Sequence, residues 1–393
     1  MTENEAIRAP RLFLSCGEPS GDRYGACLVN ALRRRVPGLQ VAALGGAALA
    51  AAGAEIVQPM EPLAVMGFGE IAGALPALLA ARRRVWRHLA AGQVDLCVPI
   101  DFPGFNLRVA RQARRRGIPV FYLVAPQLWA WAPWRIGGVR RGVDRLGCLL
   151  PFEPAWFAAR GVPAVALGHP LVDAFPAARV EADAVAREAR LADERLPLTL
   201  GVLPGSRRQE LARLLPPLLG AAAELQRRLA PRRVACVVSA APGVDARPWR
   251  ARLAGVAEVT DEPLTQLLPR LDLALVCSGT ASLEVALAGV PHEVVYRTSP
   301  FNYAIARRLV NVRRIGLANL VLGEDLAREH LQDEVTPERL ARALSDWVAE
   351  PGRRRALAAG VARLRDRLGP PGFWERAADA ALALLAAGRG RGE

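Results

Sequence analysis

Short apolar runs alternate with longer segments of helical spacing along most of the chain. In the first half these runs lie at residues 12–16, 96–100, 120–124 and 146–150. In the second half they lie near residues 198–203, 234–239 and 273–277. Runs of this length predict buried strands, and the arginine-rich segments between them place apolar residues at helical intervals. The alternation predicts an α/β fold whose parallel sheets are covered by helices on both faces.

A looser, charged stretch from about residue 168 to residue 194 interrupts the alternation and marks a domain junction. We therefore expect two Rossmann-like domains facing a cleft, the first over residues 1–175 and the second over residues 196–345. The last segment, 346–393, is rich in alanine, leucine and arginine with helical spacing, and we expect it to pack back across the domains. Ligands of open parallel sheets bind beyond the carboxyl ends of the strands, so the loops at those ends are the candidate sites.

The net charge of the chain limits the classes of partner that it is expected to bind. The 393 residues carry a formal net charge of +14, and all 52 basic residues are arginine because the chain contains no lysine. The lack of lysine excludes a pyridoxal Schiff base, a lysine nucleophile and the phosphate-binding loop that depends on lysine. The positive charge favours an anionic partner, which is a membrane surface, a nucleotide or a nucleic acid.

The cysteines and histidines do not predict a metal site. The six cysteines are scattered and mostly lie in apolar runs, which is typical of a reduced, cytoplasmic chain. The four histidines are far apart in sequence, so we expect no metal and no cofactor. Residues 1–11 carry both signs of charge, which argues against a signal peptide. No apolar run reaches the roughly 18 residues needed to span a bilayer.

The loop after the run 198–203 offers groups that bind phosphate. Gly205 lets backbone amides approach an anion, Ser206 adds a hydroxyl, and Arg207 offers a bidentate fork for a diphosphate. The alternative is a glycine–serine turn followed by a solvated arginine.

A second loop of this kind follows the run 273–277. Ser278, Gly279 and Thr280 place amides and two hydroxyls at a predicted helix start, which favours an anion. Glu284 lies one turn further on the same helical face as Thr280, where a carboxylate can accept hydrogen bonds from a ribose diol. The alternative is a capping motif with Glu284 in solvent.

Two features of the first half are candidates for catalytic chemistry. The loop 17–22 is polar and glycine-rich but lacks the dinucleotide-binding fingerprint, so a sugar or headgroup site fits better. Asp101 ends an apolar strand, where burial would raise the pKa of its carboxyl group toward that of a general base. The alternative for Asp101 is a cap on the following segment.

Taken in order, these parts resemble the signatures of the lipid-A-disaccharide synthase family. The motifs that carry the resemblance lie at residues 17–22, 65–68, 100–106, 125–131, 150–153, 168–170, 203–207 and 278–284. The resemblance extends from about residue 12 to residue 344 and includes Asn319, Glu329 and Gln332.

The resemblance implies an inverting glycosyltransferase of the GT-B type, which has two Rossmann-like domains. The implied reaction of lipid A biosynthesis joins UDP-2,3-diacylglucosamine to 2,3-diacylglucosamine 1-phosphate by a β-1,6 linkage and releases UDP. We accordingly expect a peripheral protein at the cytoplasmic face of the inner membrane, with no nucleic-acid partner, and a homodimer is compatible with this.

The resemblance also implies roles for individual residues. In the first domain Asp101 is the candidate base for the acceptor 6-hydroxyl. The residues expected to shape the site around it are Glu18, Ser20 and Asp22. In the second domain the residues expected at the diphosphate are Arg207, Gly205, Ser206, Ser278, Gly279 and Thr280. Glu284 is expected at the ribose, and Asn319, Glu329 and Gln332 around the donor sugar. Arginine and helix dipoles would then neutralise the leaving diphosphate without a metal.

The chain departs from the family's usual pattern at three places. Pro19 replaces the usual alanine, Ala318 replaces a proline, and His292-Glu293 replaces apolar residues. None of these removes a proposed catalytic group. Ala318 is expected to loosen the turn that aims Asn319, because proline fixes φ and alanine does not.

The acylated substrates imply contact with a membrane. Residues 67–80 are mostly apolar and lead into an arginine cluster, as in an interfacial helix. The candidate membrane residues are Phe68, Ile71, Leu75, Leu79, Arg82, Arg83 and Trp86. The alternative is an ordinary amphipathic helix packed on the sheet.

Other functions remain open at this point. Trp129, Trp131 and Trp134 beside Arg135 could stack on nucleic-acid bases, although packing of the aromatic rings beside the cleft fits better. The fold would also serve a UDP-sugar transferase with another acceptor, or a UDP-sugar epimerase. A basic membrane-surface or nucleic-acid-binding module is the non-enzymatic alternative.

Overall fold

The computed structural model describes residues 8–61, 71–241, 244–300, 303 and 313–389. They form two compact units. The first contains the described residues up to Pro170 together with those from Pro371 onward, and the second is Leu171–Pro370. The segment predicted as one helical tail, 346–393, is therefore divided between the two units.

The first unit is built on a sheet of seven parallel strands in the order β3-β2-β1-β4-β5-β6-β7. The strands are β1 (Arg11–Cys16), β2 (Gln40–Gly45), β3 (Glu55–Pro59), β4 (Leu96–Ile100), β5 (Phe121–Leu123), β6 (Arg145–Cys148) and β7 (Ala164–Ala166). Its helices are α1 (Pro19–Arg33), α2 (Ala47–Ala51), α3 (Ile71–Ala90), α4 (Pro103–Arg114), α5 (Leu128–Trp131), α6 (Ile136–Gly142), α7 (Glu153–Ala158) and α8 (Pro170–Ala174), the last of which begins at the boundary with the second unit.

Side chains of the central strands alternate between the two faces of this sheet. Leu12 and Leu14 of β1 join the apolar cluster on one face, and Phe13 joins the cluster on the other. Both faces are buried, because successive residues of a strand point to opposite sides and helices cover each side. The continuous apolar runs of the sequence follow from this double burial.

The second unit has six parallel strands in the order β10-β9-β8-β11-β12-β13. The strands are β8 (Leu198–Leu203), β9 (Val234–Ser239), β10 (Glu258–Thr260), β11 (Leu273–Cys277), β12 (His292–Tyr296) and β13 (Glu329–Leu331). Its helices are α9 (Ala177–Ala192), α10 (Arg208–Arg228), α11 (Arg247–Leu253), α12 (Leu264–Leu267), α13 (Thr280–Leu287), α14 (Leu317–Leu322), α15 (Pro337–Ala349) and α16 (Pro351–Leu368). The prediction of an α/β fold with parallel sheets is confirmed.

The end of the chain returns to the first unit. Helix α17 (Phe373–Arg389) buries Phe373, Ala377 and Ala381 in the apolar cluster that also contains Leu12 and Leu14. The helix before it, α16, packs within the second unit instead. The last helix therefore completes the cover on one face of the first sheet.

The unusual pair His292-Glu293 on β12 is compensated by its neighbours. The fully buried Glu293 carboxylate accepts hydrogen bonds from Trp347 Nε1 at 2.7 Å, Arg353 Nη2 at 2.8 Å and His330 Nε2 at 2.8 Å. His292 is also buried, and its Nδ1 contacts the carbonyl oxygen of Val290 at 2.7 Å. A buried carboxylate is tolerated when its oxygens are paired in this way.

Candidate functional site

Asp101 and Glu18 lie at the carboxyl ends of two neighbouring strands of the first sheet. β1 and β4 are paired in register up to Cys16 and Ile100, so the residues that follow them emerge side by side. Asp101 is half-buried, and Glu18 is exposed. Burial, followed by repulsion from Glu18, raises the pKa of Asp101 to about 6, against a smaller opposing effect of the Phe102 amide. A carboxyl group with this pKa can act as a base near neutral pH.

The backbone of Asp101 is held in a rare conformation. Its φ is 46° and that of Phe102 is 50°, so two consecutive non-glycine residues adopt the left-handed region. The carbonyl oxygen of Asp101 accepts hydrogen bonds from Tyr122 OH at 2.7 Å and from Asn106 Nδ2 at 2.8 Å. The Asp101 amide donates to Leu123 O at 3.0 Å. Strain of this kind persists where the surroundings fix it, and it clusters at functional sites.

Asn106 connects this turn to β1. Its side chain is fully buried, and Nδ2 also donates to the carbonyl oxygens of Ser15 at 2.9 Å and Ile100 at 3.0 Å. Its Oδ1 accepts a hydrogen bond from Ser15 Oγ at 2.7 Å. Asn106 therefore ties the ends of β1 and β4 together beneath Asp101.

Gly17 provides the space for Phe102. A Cβ atom at Gly17 would lie 2.1 Å from Cδ1 of the Phe102 ring, so any side chain there would displace the ring. The predicted loop 17–22 thus contacts the Asp101 turn directly.

Of the residues predicted around Asp101, Asp22 is bonded to backbone amides at the start of α2. Ser20 is exposed in the first turn of α1, but Asp22 is buried. The Asp22 carboxylate accepts hydrogen bonds from the amides of Gly46 at 2.7 Å and Ala48 at 2.9 Å, and it thereby caps α2. In this structure Asp22 holds backbone in place, and its role at the candidate site stays a prediction.

In the second unit, the backbone amides of the Gly205–Arg207 loop bind the side-chain carboxylate of Glu210. Glu210 accepts hydrogen bonds from the amides of Ser206 and Arg207, each at 3.2 Å. Gly205 has a φ of 102°, and a Cβ there would meet Glu210 Oε2 at 2.5 Å. Glu210 therefore pairs with the amides just before α10 as in a capping box, and the expected contact of this loop with a phosphate stays a prediction. The Arg207 side chain remains 81% exposed.

The start of α13 has the open geometry expected of an anion site. Gly279 has a φ of 145°, and no atom of the described residues lies within 4 Å of the position of a Cβ there. Ser278 Oγ donates to Ile315 O at 2.7 Å, which fixes the serine to the neighbouring loop. Thr280 is exposed, and Glu284 is half-buried one helical turn further on.

Asn319, Glu329 and Gln332 stabilise loops from within. Asn319 is buried, with Nδ2 donating to Ala327 O at 2.7 Å and Oδ1 accepting from the Leu326 amide at 2.8 Å. These bonds fix its side chain, so the loosening expected from Ala318 does not occur. Asn319 thus supports the backbone at Leu326 and Ala327, and its expected place around the donor sugar stays a prediction.

Glu329 acts on the turn before α14. Its two carboxylate oxygens accept hydrogen bonds from the amides of Ile315 and Gly316, both at 2.9 Å. Gln332 accepts from the Thr298 amide at 2.8 Å and lines a cavity of about 410 Å³ with Arg213 and Arg297. Of the three residues predicted to surround the donor sugar, Gln332 is the one that lines this cavity.

The tryptophan cluster divides into a buried and an exposed part. Trp129 is 9% exposed, and its Nε1 donates to Glu153 Oε1 at 3.0 Å. Burial raises the pKa of Glu153 to about 7. Trp131 and Trp134 are 41% and 66% exposed, so the prediction of aromatic packing holds for Trp129 and not for Trp134.

The candidate membrane segment is only partly described. Phe68 and the side chains of Ile71 and Leu75 lie outside the described part. In the rest of α3, Arg82 and Arg83 are exposed and Leu79 is half-buried.

The other face of α3 packs on the first sheet. Ala81, Val85 and Leu89 are buried, and the Trp86 ring lies 6.2 Å from that of Phe105. Trp86, one of the candidate membrane residues, is half-buried with its ring packed against the core, and its contact with a membrane stays a prediction. Within the ranges that the structure describes, no helix has the length and apolar character of a membrane span.

The sequence analysis missed four residues that organise these sites, namely Asn106, Tyr122, Glu153 and Glu210. Asn106 and Glu153 lie inside motifs that carry the family resemblance, so their positions were marked without a role. Glu210 follows Arg207 by three residues, the spacing of a capping box, and this signal could have identified it. Tyr122 lies within an apolar run that gives no sign of its hydroxyl's role.

Comparison with known proteins gives a consistent result. The family model for lipid-A-disaccharide synthetase matches residues 12–368. The lipid-A-disaccharide synthase of Myxococcus xanthus strain DK1622 is 38% identical over 385 residues, covering 97% of this chain and 99% of that protein. That of Syntrophus aciditrophicus strain SB is 37% identical over 382 residues, covering 95% and 97%.

Solved structures share the fold at low sequence identity. The glycotransferase of kitacinnamycin has a TM-score of 0.60 and 17% identity, covering 96% of this chain and 99% of that chain. A UDP-GlcNAc 2-epimerase from Neisseria meningitidis has a TM-score of 0.58 and 10% identity, covering 96% and 100%. Because a transferase and an epimerase both share this fold, the fold does not distinguish the two activities. The sequence relatives do, since both are named as synthases. The resemblance inferred from the order of the motifs is confirmed, and the chain belongs to the lipid-A-disaccharide synthase family of glycosyltransferases.

Proposed function

We propose that this chain transfers 2,3-diacylglucosamine from UDP-2,3-diacylglucosamine to the 6-hydroxyl of 2,3-diacylglucosamine 1-phosphate. The observation that carries the proposal is the Asp101 carboxylate, which is half-buried beside Glu18 with its pKa raised to about 6. Membership of the family supplies the reaction class.

Asp101 serves as the general base. Its carboxylate accepts the proton of the acceptor 6-hydroxyl while the oxygen attacks the anomeric carbon of the donor sugar. The bond between that carbon and the UDP oxygen breaks, and UDP leaves with the electron pair. Attack from the face opposite the leaving group inverts the configuration and yields a β-1,6 disaccharide that keeps its 1-phosphate.

The donor nucleotide binds in the second unit. The open start of α13 at Gly279 and Thr280 receives the diphosphate, where the helix N-terminus favours negative charge. The exposed guanidinium of Arg207 binds the same group and offsets the charge that develops on UDP. Glu284, one turn into the helix, binds the ribose hydroxyls.

Other residues of the second unit position this site. Glu210 fixes the Gly205–Arg207 loop through two amide hydrogen bonds, and Glu329 fixes the turn before α14 through two more. These carboxylates hold backbone in place and need not touch the donor.

Helix α3 binds the membrane surface in which the acylated substrates lie. Arg82 and Arg83 project from the exposed face of the helix, while Val85 and Leu89 anchor the other face in the core. Arginines near an anionic surface contribute about 1 kcal/mol each to membrane binding.

The proposal is tested by incubating the protein with both substrates in detergent micelles and following UDP release. The expected result is UDP release that requires the acceptor, with a matching amount of acylated disaccharide phosphate by mass. Release of UDP without acceptor, or binding of UDP without any disaccharide, would contradict the proposed acceptor.

A further inference from the structure

Arg135 is a half-buried arginine that forms no ion pair with any carboxylate in the ranges the structure describes. It ends the short 3₁₀ turn Pro133–Arg135, between α5 and α6 of the first unit. Its guanidinium carbon lies 5.7 Å from the centroid of the Trp131 ring, which is a cation–π arrangement. Among the described residues, its hydrogen-bond donors therefore face no carboxylate.

The charge of Arg135 reaches the Asp101 turn. Tyr122 donates its hydroxyl hydrogen to the Asp101 carbonyl at 2.7 Å. Burial and Asp101 raise the pKa of this phenol, and Arg135 opposes them by lowering it. β5 pairs with β4 at Leu123 and Ile100, so the segment that follows β5 and contains Arg135 leaves the sheet beside the strand that Asp101 follows.

Two exposed aromatic rings border this arginine. Trp131 is 41% exposed and Trp134 is 66% exposed, although large aromatic side chains are usually well buried. Aromatic rings next to a few polar groups are typical of ligand sites, because their flat faces pack against the apolar edges of a sugar ring. The neighbourhood therefore offers one ligand a base, aromatic surface and an arginine that has no ion pair with the described residues.

We propose that Arg135 binds the phosphate of the acceptor, with the Trp131 ring against the acceptor sugar. This inference rests on the proposed function, in which the acceptor is a sugar 1-phosphate. The phosphate is attached to C1, and the reacting hydroxyl is on C6, which is attached to C5 on the other side of the ring oxygen. Holding the phosphate while the Trp131 ring packs against the sugar would fix the sugar so that the 6-hydroxyl faces Asp101.

Arginine suits this task because its planar fork binds two phosphate oxygens at once. A phosphate would also supply the counter-charge that Arg135 lacks within the described ranges. Arg135 thereby makes the first unit selective for a phosphorylated acceptor.

The test compares kcat/KM on two acceptors, 2,3-diacylglucosamine 1-phosphate and the same sugar without phosphate, at saturating donor. For Arg135→Gln we expect a loss of about 10- to 100-fold on the phosphorylated acceptor, the size expected for charged hydrogen bonds. On the unphosphorylated acceptor we expect no change, because that contact is already missing. The KM of the donor is expected to stay constant.

Arg140→Gln is the matched control, because Arg140 is exposed on α6 five residues further along and binds neither substrate in this account. It is expected to keep wild-type rates on both acceptors. Arg135→Lys keeps the charge without the fork, and we expect it to retain part of the preference for phosphate. It also serves if Arg135→Gln does not fold.

The outcomes separate this inference from the proposed function. Disaccharide formation by the wild-type protein establishes the reaction independently of Arg135. An equal loss on both acceptors, or no loss on either, would overturn the role of Arg135 and leave the reaction standing. Failure of the wild-type protein to form disaccharide would overturn both.

Discussion

Asn106 donates from Nδ2 to the carbonyl oxygen of Asp101 at 2.8 Å and to that of Ser15 at 2.9 Å. A single buried amide thus bonds to the penultimate residue of β1 and to the residue that follows β4. The bonds hold Asp101 at a φ of 46°, which a free aspartate rarely adopts. The position of the candidate base therefore depends on a side chain that need not meet a substrate.

Replacement of Asp101 by asparagine tests the base directly. Asp101→Asn keeps the size of the side chain, and its amide oxygen can still accept the hydrogen bond from the Phe102 amide. The amide cannot take up a proton as a carboxylate does. We expect kcat to fall by about 10²- to 10⁴-fold, the usual contribution of a positioned base, with UDP affinity unchanged. Near wild-type turnover in a folded variant would exclude Asp101 as the base.

The pH dependence follows from the raised pKa of Asp101. The carboxylate is the active form, so kcat/KM is expected to fall as the pH drops through about 6. Glu18 contributes to the raised pKa by repulsion, so Glu18→Gln is expected to move this fall to lower pH. The effect on stability has the opposite sign. Because the pKa is higher in the folded state, stability due to Asp101 is present at low pH and is lost as the pH rises through about 6.

These curves are measured as kcat/KM and as thermal unfolding between pH 4 and pH 8, because the loss of stability falls between the ordinary pKa of an aspartate, 3.8, and about 6. In Asp101→Asn the pH-dependent loss of stability should be smaller than in the wild-type protein. If kcat/KM does not change across pH 6, or if its fall stays at the same pH in Glu18→Gln, Asp101 is not the base.

Asn106→Ala tests support from beneath the base. The variant loses the bonds to the Asp101, Ile100 and Ser15 carbonyls, and unmet buried polar groups cost about 1–3 kcal/mol each. We expect a lower free energy of unfolding and a lower kcat, with the KM of the donor unchanged. Gln112→Ala on the same helix, a half-buried position away from the turn, is the control. Lost stability with unchanged kcat would show that Asn106 supports the fold alone.

Arg207→Ala tests the charge at the leaving group. Arg207 is exposed and its contact with Glu210 is long, at 3.4 Å, so its removal should cost little stability. We expect kcat to fall by about 10- to 100-fold, because charge on the departing UDP loses its partner. The neighbouring Arg208→Ala, also exposed, is the matched control. Equal kcat values for Arg207→Ala and Arg208→Ala would show that Arg207 is a solvated surface residue with no role at the diphosphate.

Asp22→Asn distinguishes a cap from a catalytic group. An amide in place of one carboxylate oxygen faces a backbone N–H, so the cap on α2 is weakened by about 0.5–2 kcal/mol. We expect the melting temperature to fall and kcat at 25 °C to stay close to wild type. A fall in kcat at unchanged stability would support the catalytic assignment.

Arg82→Glu with Arg83→Glu tests the membrane surface. Reversal of both charges on the exposed face of α3 should weaken flotation with anionic vesicles but leave the core packing of Val85 and Leu89 intact. The matched control reverses Arg115 and Arg116, two exposed arginines of the same unit. If both double variants bind alike, α3 has no special role at the membrane.

Much of the fold could be predicted from the sequence, because strands buried on both faces are continuous apolar runs. β4, β8, β9 and β11 agree with their predicted bounds. The edge strands β7 and β10 have three residues each and are partly exposed, so their patterns resemble loops. Burial alone does not decide the outcome, because the largely buried strands β2 and β12 were not among the predicted runs and β9 is only partly buried.

The candidate site could be predicted in part for the same reason. Asp101 stood out as a charge at the end of a buried run. The task of Asn106 depends on Ser15, which is 91 residues away in sequence, and only the folded sheet brings the two together. Asp22 and Asn319 were assigned by motif, and the distances that identify them as supports arise from tertiary contacts.

The most direct test of the central claim is the structure of the product formed by the wild-type protein. NMR spectroscopy of the isolated lipid gives both the configuration and the position of the new glycosidic bond. The account predicts a β-1,6 disaccharide that retains one phosphate on the acceptor sugar, formed in equal amount to UDP. An α linkage, a bond to another hydroxyl, or free sugar with UDP would contradict it.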